Sequence, residues 1–264
     1  MVLDFIKWNV TPEVFTLGDF SIRWYGLLFA SSFFFGYLIM KKIFEREKID
    51  IEVLDQLSIY MLVGTVFGAR LGHVLFYQPD YYIHHLLEII QVWKGGLASH
   101  GAALGILIAL YAFSKKNKKS YLWILDRIVI VVAIGGFFVR MGNLMNSEIV
   151  GHVTDVPWAF LFEREIKYLG DAPRHPTQLY EGLSYLLLFF ILVWMYFKKN
   201  LGEKSGVIFG VFLIGLFFSR FVIEFYKDVQ VQFEQDMVLN MGQILSIPFI
   251  LLGIFLLLKR VEAN

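Results

Sequence analysis

Long apolar segments separated by short polar connections dominate this chain. A helix needs about 20 mostly apolar residues to cross roughly 30 Å of hydrocarbon. Seven segments meet this requirement, at about 22–40, 55–77, 96–113, 121–144, 177–197, 206–227 and 238–258. The pattern therefore predicts an all-α integral membrane protein, a bundle of about seven transmembrane helices.

Lysine and arginine are distributed unevenly among the connections. They concentrate after the first, third, fifth and seventh segments, as Lys41, Lys42, Arg46 and Lys48; Lys115, Lys116, Lys118 and Lys119; Lys198, Lys199 and Lys204; and Lys259 and Arg260. The positive-inside rule then predicts an N-terminus outside and a C-terminus in the cytoplasm. The opening stretch MVLDFIKWNVTPEVF lacks the tripartite pattern of a cleaved signal peptide, so none is expected.

Amino-acid composition excludes several classes of protein and of functional site. Hydrophobic residues make up 57% of the chain and charged residues 18%, which is unlike an ordinary soluble domain. The net charge of +1 provides no dense basic surface for nucleic acid, and the absence of cysteine excludes disulfides, thiolate metal sites and an enzyme-borne thiol nucleophile. Without repeats or linkers, we expect one transmembrane domain over 1–264, with a small extracytoplasmic insertion at 145–176.

Each segment carries polar or ionisable residues near the end that is predicted to face the outside of the cell. In chain order they are Arg23 and Tyr25, Arg70 and His73, His100, Arg140, Gln178, Tyr180 and Glu181, Arg220, and Gln243. A charge in hydrocarbon costs at least about 2.5–3.5 kcal/mol, so several charges together need a partner or a water-filled cavity. The outer half is predicted to hold a polar pocket, whereas Asp126 and Arg127 are expected at the cytoplasmic interface.

Several of these residues also have a purely structural interpretation. Arg70 could extend its guanidinium to lipid headgroups, and Arg220 could pair with Glu224 four residues later. His100, which is flanked by glycines, could be a core histidine that is bonded to a backbone carbonyl. Gly101 allows close helix approach and also clears space for a ligand.

Seven motifs occur along nearly the whole chain: IRWYGLLF (22–29), GARLGHVLFY (68–77), GGLASHGAALG (95–105), VRMGNLMNSEIVG (139–151), HPTQLYEG (175–182), SRFVIEF (219–225) and MGQILSIP (241–248). In sequence and order they resemble the prolipoprotein diacylglyceryl transferase family. The Arg–x–Gly–Asn–x–x–Asn–x–Glu and His–Pro–x–Gln–Leu–Tyr–Glu strings are quite specific to it. The family usually has glycine at the position of Ser147.

The resemblance implies an enzyme that transfers the diacylglyceryl group of phosphatidylglycerol to the lipobox cysteine thiol of prolipoproteins, forming a thioether and releasing glycerol 1-phosphate. It implies a multi-pass protein of the bacterial cytoplasmic (inner) membrane with its active site toward the outer leaflet, and no cofactor, metal or nucleic acid. The alternative from the residues alone is a transporter or channel for an anionic substrate, which predicts polar groups through the whole depth and an inverted repeat.

Under this resemblance, Arg140 and Arg220 bind the phosphate and stabilise the leaving group, since guanidinium is a forked and permanently charged donor. His100 is the candidate general base for the thiol, and Tyr25 is a hydrogen-bonding group near the donor lipid. The arginines could instead stabilise the thiolate directly. The other predicted substrate-binding residues are Asn143, Asn146, Glu148, Gly101, Gln178, Tyr180, Glu181, Glu224 and Arg70.

Overall fold

The computed structural model describes residues 5–18, 20–228, 234 and 237–261, a large part of the predicted domain over 1–264. Its α-helices are α1 (Trp24–Arg46), α2 (Ile51–Phe76), α3 (Pro79–His84), α4 (Ser99–Lys116), α5 (Tyr121–Met145), α6 (Ile166–Leu169), α7 (Thr177–Phe197), α8 (Val207–Ile223) and α9 (Met241–Val261). Each of the seven predicted segments contains one long helix, with its ends shifted by a few residues. The mainly helical fold is confirmed.

Six of these helices, within the described ranges, are long and apolar enough to cross a membrane: α1, α2, α5, α7, α8 with its following turn, and α9. Helix α4 has 18 residues, but Ser99 and His100 open it and Lys115 and Lys116 close it. These polar ends leave a short apolar middle. The seventh span and the orientation of the bundle therefore stay predictions.

Four short strands were not predicted. Strand β1 (Ile6–Trp8) pairs in parallel with β4 (Phe160–Phe162), and β2 (Glu13–Leu17) pairs antiparallel with β3 (Phe20–Arg23). Strands of three to five residues are too short to show a clear alternation of polar and apolar positions. The description all-α thus holds for the long segments only.

The predicted insertion at 145–176 contains β4, α6 and a small apolar core. Val150, Phe160 and Phe162 are buried together with Leu144 from the end of α5. Trp8 packs against this cluster, and its indole Nε1 donates a hydrogen bond of 3.0 Å to the Leu144 carbonyl. The insertion is therefore fixed to both α5 and the N-terminal strand.

The chain forms two compact units, one made of residues 1–38 with 126–264 and the other of residues 39–125. In the first unit, α8 packs against both α7 and α9. In the second unit, α2 packs against α4 through glycines. A Cβ on Gly68 would lie 2.5 Å from the Gly101 carbonyl oxygen, and one on Gly72 would lie 2.6 Å from the Gly101 Cα. The predicted close helix approach at Gly101 is confirmed.

Gly68→Ala is expected to destabilise the second unit, because the added methyl group meets a backbone carbonyl rather than a movable side chain. We expect a loss of about 1–3 kcal/mol, seen as a lower thermal unfolding temperature of the purified protein. Gly26→Ala is the matched control, since a Cβ there meets nothing within 4 Å. Equal unfolding temperatures for the two variants would contradict the close packing of α2 on α4.

Asp126 and Arg127 are buried inside the protein, and their position at the cytoplasmic interface stays a prediction. The Asp126 carboxylate accepts hydrogen bonds from the backbone N–H groups of Gly206 and Phe209, the latter at 2.8 Å. Arg127 donates to the Gly202 carbonyl at 3.3 Å. A carboxylate at a helix start satisfies N–H groups that have no partner within the helix and favours the helix dipole. Both residues therefore fix the beginning of α8.

Candidate active site

The last turns of α5 and the first turns of α7 bring Arg140 and Glu181 together. Arg140 Nε lies 2.7 Å from Glu181 Oε2, and the Glu181 side chain is fully buried. Arg140 Nη1 donates a hydrogen bond of 3.2 Å to Asn143 Oδ1. Residues three apart share one helix face, which explains the contact with Asn143. The ion pair with Glu181 joins two motifs that are separate in the sequence.

Glu148 is the second polar centre of this region. Its Oε1 atom accepts hydrogen bonds from Asn143 Nδ2 at 2.7 Å and from Asn146 Nδ2 at 3.3 Å. Gln178 Nε2 donates to the Glu148 backbone carbonyl at 2.6 Å. The Glu148 side chain itself is exposed. Four of the predicted substrate-binding residues thus form one hydrogen-bonded set beside Arg140.

A left-handed turn lets the chain fold back after α5. Ser147 has φ of 55° and Ile149 has φ of 58°, a region that strongly favours glycine over a β-branched residue. Ser147 is also buried, and its Oγ atom has no hydrogen-bond partner among the described residues. The family that the sequence resembles usually has glycine here. Glycine would avoid both the left-handed strain and the buried hydroxyl without a partner.

Ser147→Gly is therefore expected to stabilise the protein. Relief of the left-handed strain exceeds the entropy that glycine loses on folding, so we expect a gain of roughly 0.5–1 kcal/mol, measured by thermal unfolding. Ser31→Gly in the interior of α1 provides the contrast, because glycine only weakens a helix there. A Ser147→Gly protein that unfolds at a lower temperature than the unaltered chain would refute the assigned strain.

Lys227 joins Glu181 to Glu224 and was missed in the sequence analysis. Its Nζ atom lies 3.0 Å from Glu181 Oε1 and 2.8 Å from Glu224 Oε1. Arg220 Nε lies 3.5 Å from the same Glu224 oxygen, so the alternative of an internal pair at i, i+4 is confirmed. The spacing of three residues between Glu224 and Lys227 was compatible with an ion pair. A lysine at the end of a predicted span, however, is also typical of a residue that only faces the membrane surface.

Tyr25, near the start of α1, lies beside the α5 motif. A Cβ on Gly142 would be 2.7 Å from the Tyr25 Cδ2 atom, so the ring packs directly on the helix backbone. Its hydroxyl interacts electrostatically with Glu148 and Arg140. The structure thus brings this candidate to the same polar region as Arg140.

Tyr185, one turn after Glu181 on α7, is a second tyrosine in this network. The side chain is buried, and its hydroxyl donates a hydrogen bond of 3.4 Å to Glu181 Oε1. It interacts electrostatically with both Arg140 and Arg220. Both predicted phosphate-binding arginines therefore lie within electrostatic range of one hydroxyl.

Tyr180 is tied to the insertion at 145–176. Its hydroxyl accepts a hydrogen bond from Trp158 Nε1 at 2.8 Å and lies 3.0 Å from His175 Nδ1. Burial, and then the charge of His152, hold the pKa of His175 below its usual value, which favours the neutral imidazole. These contacts give Tyr180 an observed structural role, and its predicted contact with substrate stays a prediction.

In the second unit, His100 is the second residue of α4 and is exposed. Its ring contacts Phe76 at the end of α2 and Tyr77 directly after it, with centroid distances of 5.3 and 5.7 Å. Among the described residues its imidazole makes no hydrogen bond. The alternative of a core histidine bonded to a carbonyl is therefore wrong.

Arg70 is buried and does not extend to the headgroup region as an exposed side chain. Its guanidinium donates to three carbonyls of the loop before α4: Nε to Ile89 at 2.8 Å, Nη1 to Gly95 at 2.6 Å and Nη2 to Glu88 at 2.5 Å. These bonds hold the loop against α2. The predicted role of Arg70 in substrate binding is not needed to explain its burial and stays a prediction.

Comparison with known proteins identifies the family. The profile described as prolipoprotein diacylglyceryl transferase matches residues 12–259. The chain belongs to this family. Relatives from Chloroherpeton thalassium and Porphyromonas gingivalis are 46% and 47% identical to it, over 98% of this chain and 95% of each relative. Another from Tolumonas auensis is 44% identical over 95% of this chain. Each relative is named phosphatidylglycerol–prolipoprotein diacylglyceryl transferase.

In this member of the prolipoprotein diacylglyceryl transferase family, six apolar helices agree with a multi-pass membrane protein. Its buried polar network contains guanidinium and ammonium groups that can bind an anion. Within the part of the chain that the structure describes, no group of three or more His, Asp or Glu side chains is placed to hold a metal ion.

Proposed function

We propose that the protein transfers the diacylglyceryl group of phosphatidylglycerol to the lipobox cysteine thiol of prolipoproteins. A carbon–sulfur bond forms, the carbon–oxygen bond to the phosphate breaks, and glycerol 1-phosphate leaves. The observation that supports this most is the ion-pair network of Arg140, Glu181, Lys227, Glu224 and Arg220, in a chain whose relatives carry this name. A network rich in cations suits a donor lipid with an anionic headgroup.

The arginines are proposed to bind the headgroup phosphate. Arg140 contacts Glu181 through Nε, Asn143 through Nη1 and also the Tyr185 hydroxyl, and the remaining N–H groups of its five are proposed to bind a phosphate. Arg220 is 38% exposed at its side chain and makes a longer ion pair. As the carbon–oxygen bond breaks, negative charge collects on the phosphate. Guanidinium groups that are already in place stabilise that charge without reorganisation.

His100 is proposed as the general base that removes the thiol proton. A free thiol has a pKa near 8.5 and attacks poorly until it is deprotonated. The exposed imidazole, which makes no hydrogen bond among the described residues, can accept that proton. The electron pair of the breaking bond passes to the departing phosphate oxygen.

The remaining residues are proposed to shape the lipid site. Tyr25, Asn143, Asn146 and Glu148 surround Arg140 and supply polar contacts to the glycerol headgroup. The proposed substrate-binding set also keeps Gly101, Gln178, Tyr180, Glu181, Glu224 and Arg70.

We also propose that the protein lies in the bacterial cytoplasmic membrane with seven spans, its N-terminus outside and its C-terminus in the cytoplasm. The positive connections after the first, third, fifth and seventh segments support this orientation. The polar network at the opposite helix ends then faces the outer leaflet. Phosphatidylglycerol there and a secreted prolipoprotein can both reach it.

Incubation of the purified protein with labelled phosphatidylglycerol and a cysteine-containing lipobox peptide tests the proposal. We expect the peptide to gain the mass of one diacylglyceryl group, and a Cys-to-Ser peptide to gain none. Release of glycerol 1-phosphate should match the modified peptide in amount. An unmodified peptide, together with flux of an anionic substrate in proteoliposomes, would instead establish a transporter.

A further inference from the structure

Lys227 is a buried cation that two carboxylates share. Its side chain is only 3% exposed, and its Nζ atom contacts Glu181 Oε1 and Glu224 Oε1. Its backbone is also fixed, because Lys227 pairs with Gly151 of the insertion. A buried ammonium is costly unless it is paired, and here it is paired twice. The position of Lys227 is therefore set by the same carboxylates that hold the arginines.

Lys227 adds one positive charge to the ion pairs that the two arginines make, which offsets the nearby carboxylate of Glu148. Arg140 pairs with Glu181 and Arg220 pairs with Glu224, so these four groups alone would be neutral. Lys227 bridges the two carboxylates and gives the five groups a formal net charge of +1. Because Lys227 itself is buried, its charge is weakly screened and acts on any anion that the arginines bind.

We propose that Lys227 is a positioning residue that fixes Glu181 and Glu224 between the two arginines and keeps the arginine pair electropositive. This proposal rests on the proposed function of the same site. It makes Lys227 a determinant of headgroup specificity. Phosphatidylglycerol carries a net negative charge, whereas phosphatidylcholine carries a phosphate and a compensating cation. Lys227 makes this site one charge unit more positive than it would be without it, which favours the anionic headgroup over the zwitterionic one.

Lys227→Met tests this inference in the full-length protein. We expect the KM for phosphatidylglycerol to rise on the order of tenfold. Inhibition by phosphatidylcholine should become relatively stronger, because the two lipids are then discriminated less well. Lys227→Arg, which keeps the charge, should retain the preference for phosphatidylglycerol. Lys204→Met, in the exposed connection before α8, is the matched control and should behave like the unaltered chain.

A double variant separates charge from structure. Lys227→Met with Glu224→Gln restores the formal +1 charge, because Arg140, Arg220 and Glu181 remain. If Lys227 acts by charge balance, this double variant recovers most of the headgroup preference that Lys227→Met loses. If Lys227 only supports packing, removal of a second network member worsens the defect, and the proposal is overturned.

The readouts also separate this inference from the proposed function. An unaltered chain that transfers no diacylglyceryl group refutes the function. An unaltered chain that is active, with Lys227→Met showing the same KM and lipid preference, refutes the role of Lys227 alone. If Lys227→Met fails to fold, as thermal unfolding would show, the comparison moves to the double variant and Lys227→Arg. Loss of lipid preference in a folded Lys227→Arg protein would then overturn the charge argument.

Discussion

Arg140→Gln is expected to reduce diacylglyceryl transfer by about 100–1000-fold. Removal of a fixed donor that faces developing negative charge commonly costs this much. Glutamine can keep a hydrogen bond to Asn143, but it loses the charge and the ion pair at 2.7 Å to Glu181. The measurement is the initial rate of peptide modification at saturating and at low phosphatidylglycerol. A fall in kcat beyond the change in KM indicates stabilisation of the leaving group.

Two further variants control this result. Arg140→Lys keeps the charge but cannot contact Glu181 and Asn143 as a planar fork, so an intermediate rate is expected. Arg23→Gln removes an exposed arginine whose ion pair with Glu13 is 3.5 Å long, and it should leave the rate unchanged. Normal transfer by a folded Arg140→Gln protein would remove this residue from the mechanism.

His100→Gln is expected to lower the rate by about 10²–10⁴-fold near neutral pH, because the thiol then loses its general base. The defect should shrink as pH rises. Above the thiol pKa of about 8.5, solution hydroxide supplies the thiolate without help from the imidazole. The rate of peptide modification should therefore be measured for both proteins across pH 6–9.5. Convergence of the two profiles at high pH identifies the role of His100 as proton removal.

His84→Gln provides the control for this experiment, since His84 is an exposed histidine on α3 outside the proposed machinery. Its pH profile should follow that of the unaltered chain. A constant ratio between the unaltered chain and His100→Gln at every pH would contradict the base assignment. A strong Arg140→Gln defect beside that result would favour direct stabilisation of the thiolate by the arginines.

The long helices were predictable because hydrocarbon demands continuous apolar sequence, and α7 begins and ends where the pattern placed it. Helix α4 shows the limit of that rule. Its polar ends shorten its apolar stretch, and its close contact with α2 depends on glycines from two separate segments. The short strands β1 and β4 lie far apart in sequence, so neither could indicate its partner.

The candidate site was only partly predictable. Motif spacing placed Asn143 beside Arg140, since both lie on one helical face. The partner of Arg140 was not predictable, because the contact with Glu181 depends on how α5 and α7 pack. Lys227 was missed for the same reason. Its two carboxylates come from α7 and from the turn after α8, and only the folded chain brings them together.

The carbonyl contacts of Arg70 affect how loss-of-function screens on this protein should be interpreted. Because its guanidinium binds the loop that leads into α4, truncation of Arg70 would displace the neighbourhood of His100 in addition to removing any contact that Arg70 makes with substrate. An alanine scan scored by growth alone would place Arg70 beside Arg140 as equally essential. Limited proteolysis of the 86–96 stretch would distinguish the two variants, since loss of the Arg70 hydrogen bonds loosens that stretch and loss of a phosphate ligand does not.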